Sequence, residues 1–495
     1  MKKIVFLFFV FGWFGGLLAQ DNMLPTVTIT TDGPIVNTPA VHGIIQVDDH
    51  NGTVIEMDAG FKIRGTSSQQ WDKKSYRVEL WTDATGTEIA DTAFLGMRSD
   101  DDWNLEAMYN QPLRLRNKVA NELWRAIYTL PYLSTVPEAS AGVDMEYVDV
   151  YVNGDYMGVY TLTERVDRKL LGLRKYNGNI RGVLYKGNGP GNASFETLPD
   201  YDNSSDEWDQ FEWVYPNESD DIIDWSGLYG FVNFVINATD NVFFTQYSTM
   251  FEKDNAIDYY IFINAIGALD NMDRNTFIAR YKKSSAYFYV PWDLDAIFGN
   301  TNEGEHDGSF DGLRSNGFFD RLVQDCSSDG FVAGVRERYN ELRDGVLSVD
   351  YIMGLVQEQY EELVALGVYE HEHEAWPDYT VDASELDYIE EWLENRFEWL
   401  DDEFNTPCGT WSADEVEAPK AVEVFPNPAN DWVTLRFAEP GKSTVRLYDM
   451  TGRLVYSLQS ASQVITLPTQ GLRKGVYSLL IQQQGKVFSE RFILN

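Results

Sequence analysis

The clearest change of hydrophobic period in this chain falls near residue 415, and that change decides how many cores it can build. Upstream stands "LDYIEEWLENRFEWLDDEF", where Leu386, Ile389, Trp392, Leu393, Phe397 and Leu400 recur at helical spacing. Downstream, "WVTLRF", "TVRLYDM", "RLVYSL", "GVYSLLIQ" and "KVFSERFIL" alternate with period two, punctuated by Gly, Pro and Asn. A pattern of 3.6 and a pattern of 2 cannot share one layer, so residues 421–495 are expected to form a small all-β sandwich of their own after a linker at 411–420. Charge changes with the period. Residues 421–495 hold eight basic and five acidic groups, net +3, against −39 for the whole chain.

Before the boundary the order is β-rich, then helical, then a hairpin, then α-rich. "TVTITT", "HGIIQVDD", "FKIRGTSS" and "KKSYRVELW" read as strands. "PLRLRNKVANELWRAIY" reads as a helix with Leu115, Val119, Leu123 and Ile127 on one face. In "YVDVYVNGDYMGVYTLTERVD", Asn153-Gly154 sits between two alternating runs, which predicts a two-residue hairpin turn. "GVLYKG" is a further short strand, and helices dominate from about residue 222. The expected plan for residues 21–410 is a two-lobed α+β domain with its site in the cleft between lobes.

The 495 residues carry 78 acidic and 39 basic side chains. Such a surface repels phosphate backbones and anionic lipid, so nucleic acid is not an expected partner. "MKKIVFLFFVFGWFGGLLAQ" has a basic start, an apolar run and small residues, which predicts a secretory signal peptide over residues 1–20 with cleavage near Ala19 or Gln20. An uncleaved anchor is the alternative reading of that run, although it is short for a span. No later stretch approaches the ~20 apolar residues a spanning helix needs. The two cysteines, Cys326 and Cys408, can pair in a secreted chain but are too few to act as a disulfide scaffold.

The chemistry concentrates in "DNMDRNTFIARY" and "FYVPWDLDAIFG". Asp270 follows the apolar run "YIFINAIGAL", Asn275 comes five residues later, and Asp293 follows the aromatic strand "YFYVPW", with Asp273 and Asp295 nearby. One carboxylate, an amide at i+5 and a second carboxylate delivered by a strand suit Mg²⁺-dependent phosphoryl transfer. The first Asp orients the attacking hydroxyl, while the Asn and the second Asp hold metal. The bland reading of the same residues is helix caps and solvated acids. Their position after apolar segments favours a recessed site, where unpaired carboxylates are costly without a cation.

Several stretches in order, "IRGTSSQQWDKKSYRVEL", "FLGMRSDDDWNL", "LRNKVANELWRAI", "VYVNGDYMGVYTLTERVD", "LYKG", "DNMDRNTF" and "VPWDLDAIFG", resemble the spore-coat-protein-H (CotH) family of atypical protein kinases over about residues 24–405. The resemblance implies a two-lobed atypical protein-kinase-like domain that uses ATP with Mg²⁺ or Mn²⁺. It assigns Asp270 as the hydroxyl-orienting base, Asp293 as a metal ligand, Asn275 as the amide between them, and Asp295 as a supporting metal residue. "VEVFPNPANDWVTLRF", "VRLYDMTGRLVYS" and "LRKGVYSLLIQQQGKVFSERFILN" resemble the C-terminal sorting domain of type IX secretion. That resemblance implies export through the periplasm by the type IX machinery, to the cell surface or beyond.

For the ATP phosphates a cation is required. Lys74, beside the "RGTSS" loop, is the first candidate and Lys186 in "LYK" the second. Arg64 and Arg116 are possible phosphate neighbours, and Glu164 is a possible partner for the lysine or face of the adenine pocket. For each, a salt bridge elsewhere is the competing reading. "KGNGPGNAS" imitates a phosphate loop but lacks G-x-x-x-x-G-K-[ST], so a flexible loop is expected. "YEHEHEAWP" is not H-E-x-x-H and reads as a solvated charged segment, and Trp124 and Trp392 read as core. The expected function is a secreted Ser/Thr protein kinase acting on exported or surface proteins. Two alternatives stay open: a non-catalytic surface-binding or adhesion protein on the same fold, and a carbohydrate-active protein using Asp270 and Asp293 as acid and base.

Overall fold

Strand alternation in the first part of the chain produces a closed barrel. The computed structural model describes residues 23–65, 67–217, 222–408 and, within 422–494, all but 426–428, 430–431, 438–440, 450–452 and 484–485. The expected signal peptide and linker lie outside the described residues. Two compact units result, Met1–Gly409 and Thr410–Asn495.

In the first unit, β1 (Thr26–Thr31), β2 (Val41–Asp48), β3 (Val54–Ile63), β4 (Tyr76–Trp81), a short pair β5 (Thr92–Ala93) and β6 (Ser99–Asp100), β7 (Asp102–Glu106), β8 (Met145–Val152) and β9 (Asp155–Thr163) follow in order. The barrel runs β1-β2-β3-β4-β7-β9-β8 and closes by a parallel pairing of β1 with β8. One face of each strand fills the interior, for example Ile45 and Val47 of β2 against Phe61, Val78, Trp103 and Leu162. The β8–β9 turn is the expected Asn153-Gly154, with φ of 53° and 90°. Only residues that tolerate left-handed backbone make that turn. The Asn153 side chain also accepts from the Thr31 N–H at 2.9 Å, which pins the turn to β1.

Helix α1 (Arg116–Ile127) precedes β8. Its expected face is buried, with Val119 and Leu123 fully so, and Leu115 sits at its N-cap. A second sheet contains β10 (Val183–Asn188), β11 (Glu207–Trp208), β12 (Phe211–Tyr215), β13 (Arg274–Arg280) and β14 (Phe288–Pro291) in the order β11-β12-β10-β13-β14. The helices are α2 (Ser226–Asn237), α3 (Asp240–Met250), α4 (Lys253–Ile266), α5 (Gly317–Leu322), α6 (Phe331–Arg343), α7 (Val349–Ala365), α8 (Val368–Ala375) and α9 (Ser384–Asn405). Every residue of α4 from Asn255 to Ile266 is buried, the polar Asn255, Asp258 and Asn264 included, so it is covered on all sides rather than striped. Trp124 and Trp392 are core, as expected. Cys326 and Cys408 form a disulfide.

Two of the sequence expectations need correction. "YEHEHEAWP" is solvated only in part: it forms α8, whose Glu370, His371, His373 and Glu374 are exposed as expected, while Glu372 is fully buried. "KGNGPGNAS" is not a free loop. Asn192 is buried, donates to the Trp208 carbonyl at 2.6 Å and accepts from the Gln210 N–H at 2.9 Å.

The second unit contains β15 (Val422–Phe425), β16 (Trp432–Phe437), β17 (Ser443–Asp449), β18 (Leu454–Ser460), β19 (Val464–Pro468), β20 (Gly475–Gln483) and β21 (Lys486–Leu494). Sheets β15-β16-β19 and β18-β17-β20-β21 share one core, with Val433, Leu435 and Leu467 of one meeting Val445, Leu479 and Ile481 of the other. This is the expected sandwich.

Candidate active site

The end of α4 delivers Asp270. Gly267 takes φ 65°, and the Ala268 N–H returns to the Ile263 carbonyl at 3.1 Å, a turn that stops the helix and leads the chain to Asp270. Asn275 and Asp293 stand at the same end of the β13–β14 pair, because Thr276 registers with Pro291 and the Trp292 N–H donates to the Asn275 carbonyl at 3.0 Å. Asn271 locks this end, its amide donating to the carbonyls of Asn275 at 2.8 Å and Trp292 at 2.7 Å. Both Asn275 and Asp293 hold left-handed backbone, φ 50° and 56°. Such a conformation is costly for residues other than Gly and persists where the surroundings impose it.

Around Asp293 the structure gathers like charges. Burial pushes its carboxyl above the ordinary range, with Asp270 adding to the shift while Arg64 and Lys186 oppose it. Asp295 is pushed up to about 8 by burial and by Asp293 and Glu106, against a 2.7 Å bond from the Asn110 amide. Glu106, at the end of β7, is raised by burial and by Asp293 and is paired with Arg64. Asp270 accepts from the Asn302 amide at 3.0 Å and lies 3.9 Å from the Arg274 guanidinium. Burial also raises Asp273, with Asp270 and Glu196 adding and Arg274 opposing. The Arg64 guanidinium lies 5.6 Å over the Trp292 ring, next to Asp293.

The donors are carboxylates and amides, hard oxygens without thiol or imidazole, which suit Mg²⁺ or Mn²⁺. A divalent cation fits because it would relieve carboxylates that otherwise repel one another. Among the described residues, only Asp91, Asp100 and Asp101 bring three ligand oxygens within 4.8 Å of one another. That triad is filled by the Lys169 ammonium, which bonds all three. Among the described residues, no three acids around Asp293 bring ligand oxygens within 4.8 Å of one another.

The cations sort differently from the sequence order of preference. Lys74 donates to the Gln69 carbonyl at 2.8 Å and to the Trp71 carbonyl, so it ties down its own turn. Arg116 is buried, paired with Glu385, and donates to the Ile297 carbonyl at 3.2 Å. Glu164 accepts from the backbone N–H groups of Arg98 at 3.1 Å and Asp144 at 2.9 Å and faces the Arg98 guanidinium at 3.6 Å. Its carboxylate serves the end of β9, not a lysine of the site. Arg64 and Lys186 are the cations that act on Asp293. Glu106, Asn110 and Asn302 carry no motif. "DDDWNLE" ending a strand was the one local hint of Glu106.

The model of the CotH kinase protein family matches residues 61–400, and that of the secretion system C-terminal sorting domain matches residues 423–495. The inner spore coat protein H of Bacillus subtilis (strain 168) is 23% identical over 353 residues, covering 70% of this chain and 87% of that protein. Two solved structures each align with a TM-score of 0.14. One is a DUF3244-family protein with an immunoglobulin-like β-sandwich from Bacteroides vulgatus, 25% identical over 15% of this chain and 82% of its own. The other is PorZ, a surface component of the type IX secretion system of Porphyromonas gingivalis, 28% identical over 18% of this chain and 13% of its own. Among the described residues no helix is long and apolar enough to cross a membrane. With the family model covering residues 61–400, the chain belongs to the CotH kinase protein family and ends in a secretion system C-terminal sorting domain.

Proposed function

We propose that this protein is a secreted atypical Ser/Thr kinase that transfers the γ-phosphate of ATP to hydroxyls of exported or surface proteins. The barrel is one lobe, the second sheet with its helices is the other, and the cleft between them holds the reaction. One observation carries the reading: on top of burial, Asp293 pushes the carboxyls of Asp295 and Glu106 up and is itself pushed up by Asp270, while Arg64, paired with Glu106, and Lys186 oppose the shift at Asp293. Mg²⁺ or Mn²⁺ held by Asp293, Asn275 and Asp295 would supply charge neutralisation at the nucleotide phosphates. Arg64 and Lys186 bind phosphate oxygens, and the Arg64–Glu106 ion pair takes the role that a lysine and an acid have in kinases. Asp270, oriented by Asn302, receives the proton of the incoming hydroxyl. The two cations also weigh against glycoside hydrolysis, which needs two carboxylates and no phosphate clamp. The sorting domain delivers the enzyme outside the cell, where its substrates are.

The test is incorporation of labelled phosphate from ATP with Mn²⁺ or Mg²⁺, alone and with an acidic acceptor protein. Asp270→Ala and Asp293→Ala should each abolish labelling while the far-ultraviolet spectrum stays unchanged. Wild-type protein that neither binds nucleotide nor labels any acceptor would leave adhesion as the function.

A further inference from the structure

The chain as a whole is acidic, yet "RVDRKLLGLRKYNGNIRGVLYK", residues 165–186, holds seven basic residues and one acid. This segment crosses from the barrel to the second sheet and is bound to the end of β13, where "RYKK" adds three more cations; the Arg174 N–H donates to the Tyr281 carbonyl at 3.0 Å. Beside it lies a cavity of about 560 Å³, within the usual range for small-ligand sites, and Glu138 is the single carboxylate on its wall. Two of its cations are already committed, Lys169 to Asp91, Asp100 and Asp101, and Arg98 to Asp100 and Asp167. Arg168, Arg174 and Lys175 line the same wall, and among the described residues none of them has a carboxylate within 4.0 Å. The Tyr281 ring, stacked on Tyr132 at 4.0 Å, carries the Arg174 guanidinium at 5.3 Å and the Lys282 ammonium at 5.8 Å. A buried ring that holds two cations together, in a cavity also lined by Ser99 and Thr135, is a surface built for a negative guest.

We propose that this cavity binds a multiply charged phosphate, a phosphate ester or diphosphate on a small molecule or lipid headgroup. Guanidinium forks match phosphate oxygens in pairs, which selects phosphate over a lone carboxylate. The site is separate from the acid cluster of Asp293 and does not rest on the kinase reading.

The probe is inorganic pyrophosphate, titrated calorimetrically into the full chain in EDTA. Without divalent ions the carboxylates around Asp293 repel the probe, so binding reports the basic cavity. One site is expected, weakening steeply with salt. Arg174→Glu with Lys175→Glu should weaken it on the order of a hundredfold, and the milder Arg174→Gln with Lys175→Gln on the order of tenfold. Both side chains are exposed, so folding is preserved. Co-sedimentation with phosphatidylcholine vesicles doped with phosphatidic acid, lost in the same double variants, assigns the guest to a lipid. Pyrophosphate binding without vesicle binding assigns it to a soluble phosphate. No binding of either probe, or equal binding by wild type and the Glu double variant, overturns the site.

Discussion

Glu372 offers a large single perturbation because three donors converge on it. Its carboxylate accepts from the Lys73 ammonium at 2.7 Å, the Arg114 guanidinium at 3.1 Å and the Val159 N–H at 2.8 Å, and the Lys73 and Glu372 side chains are fully buried. Burial alone would raise the acid, but Lys73, Arg114 and the Val159 N–H outweigh it and hold it below the usual range. Burial also draws Lys73 down to about 8 with Glu372 opposing, and three converging donors keep the pair charged at neutral pH. Glu372→Ala leaves two cations without their shared anion, which costs about 3–5 kcal/mol. Gly158→Ala should reach a similar loss from the other side. Its φ is +90°, and a Cβ there would lie 2.2 Å from a Glu372 oxygen. The assay is urea unfolding followed by tryptophan fluorescence, reading the transition of the first unit by itself because a two-unit chain need not unfold in one step. Lys73→Met combined with Glu372→Met should recover part of the loss, with Arg114 accounting for the remainder. The charge contribution is fully present above about pH 4.5 and is lost as pH falls through the lowered folded value, so Glu372→Gln should flatten the acid limb there. A cost under about 1 kcal/mol for Glu372→Ala would refute the reasoning.

Asp295 works in the opposite sense. Its folded value of about 8 exceeds the unfolded value, so between them the native state binds more protons and stability falls as pH rises. Melting temperature in EDTA should decline from about pH 4 to 8, Asp295→Asn should flatten the decline, and Mn²⁺ should restore stability at pH 8; a pH-independent melt would contradict the buried acid cluster. The Cys326–Cys408 disulfide spans 82 residues of sequence, so replacing both by Ser should cost ~4 kcal/mol in the chain-entropy treatment, read as a lower urea midpoint. Deleting residues 421–495 should leave the protein in the periplasm on cell fractionation, and undiminished surface delivery would argue against the role of the sorting domain.

Legibility in the sequence followed the range of the interaction. The β8–β9 hairpin was visible because Asn153-Gly154 dictates its own turn, and the face of α1 because its period is local. Barrel closure was not, since β1 meets β8 across about 120 residues and nothing in either strand names the other. The same limit sorted the cations. Lys74 and Arg64 flank one turn ten residues apart, and spacing cannot tell which faces Asp293; the turn's own carbonyls capture Lys74 and leave Arg64 to Glu106. Asn275 and Asp293 were legible as residue types but not as backbone. Their shared left-handed conformation comes from pairing across β13 and β14, and from Asn271 bridging the two strand ends. Asn and Asp tolerate that conformation better than other non-glycine residues, so the amide and the acid that phosphoryl transfer would use are also those that can hold the bend. Chemistry and conformation thus restrict the same two positions, and the first restriction alone could be read along the chain.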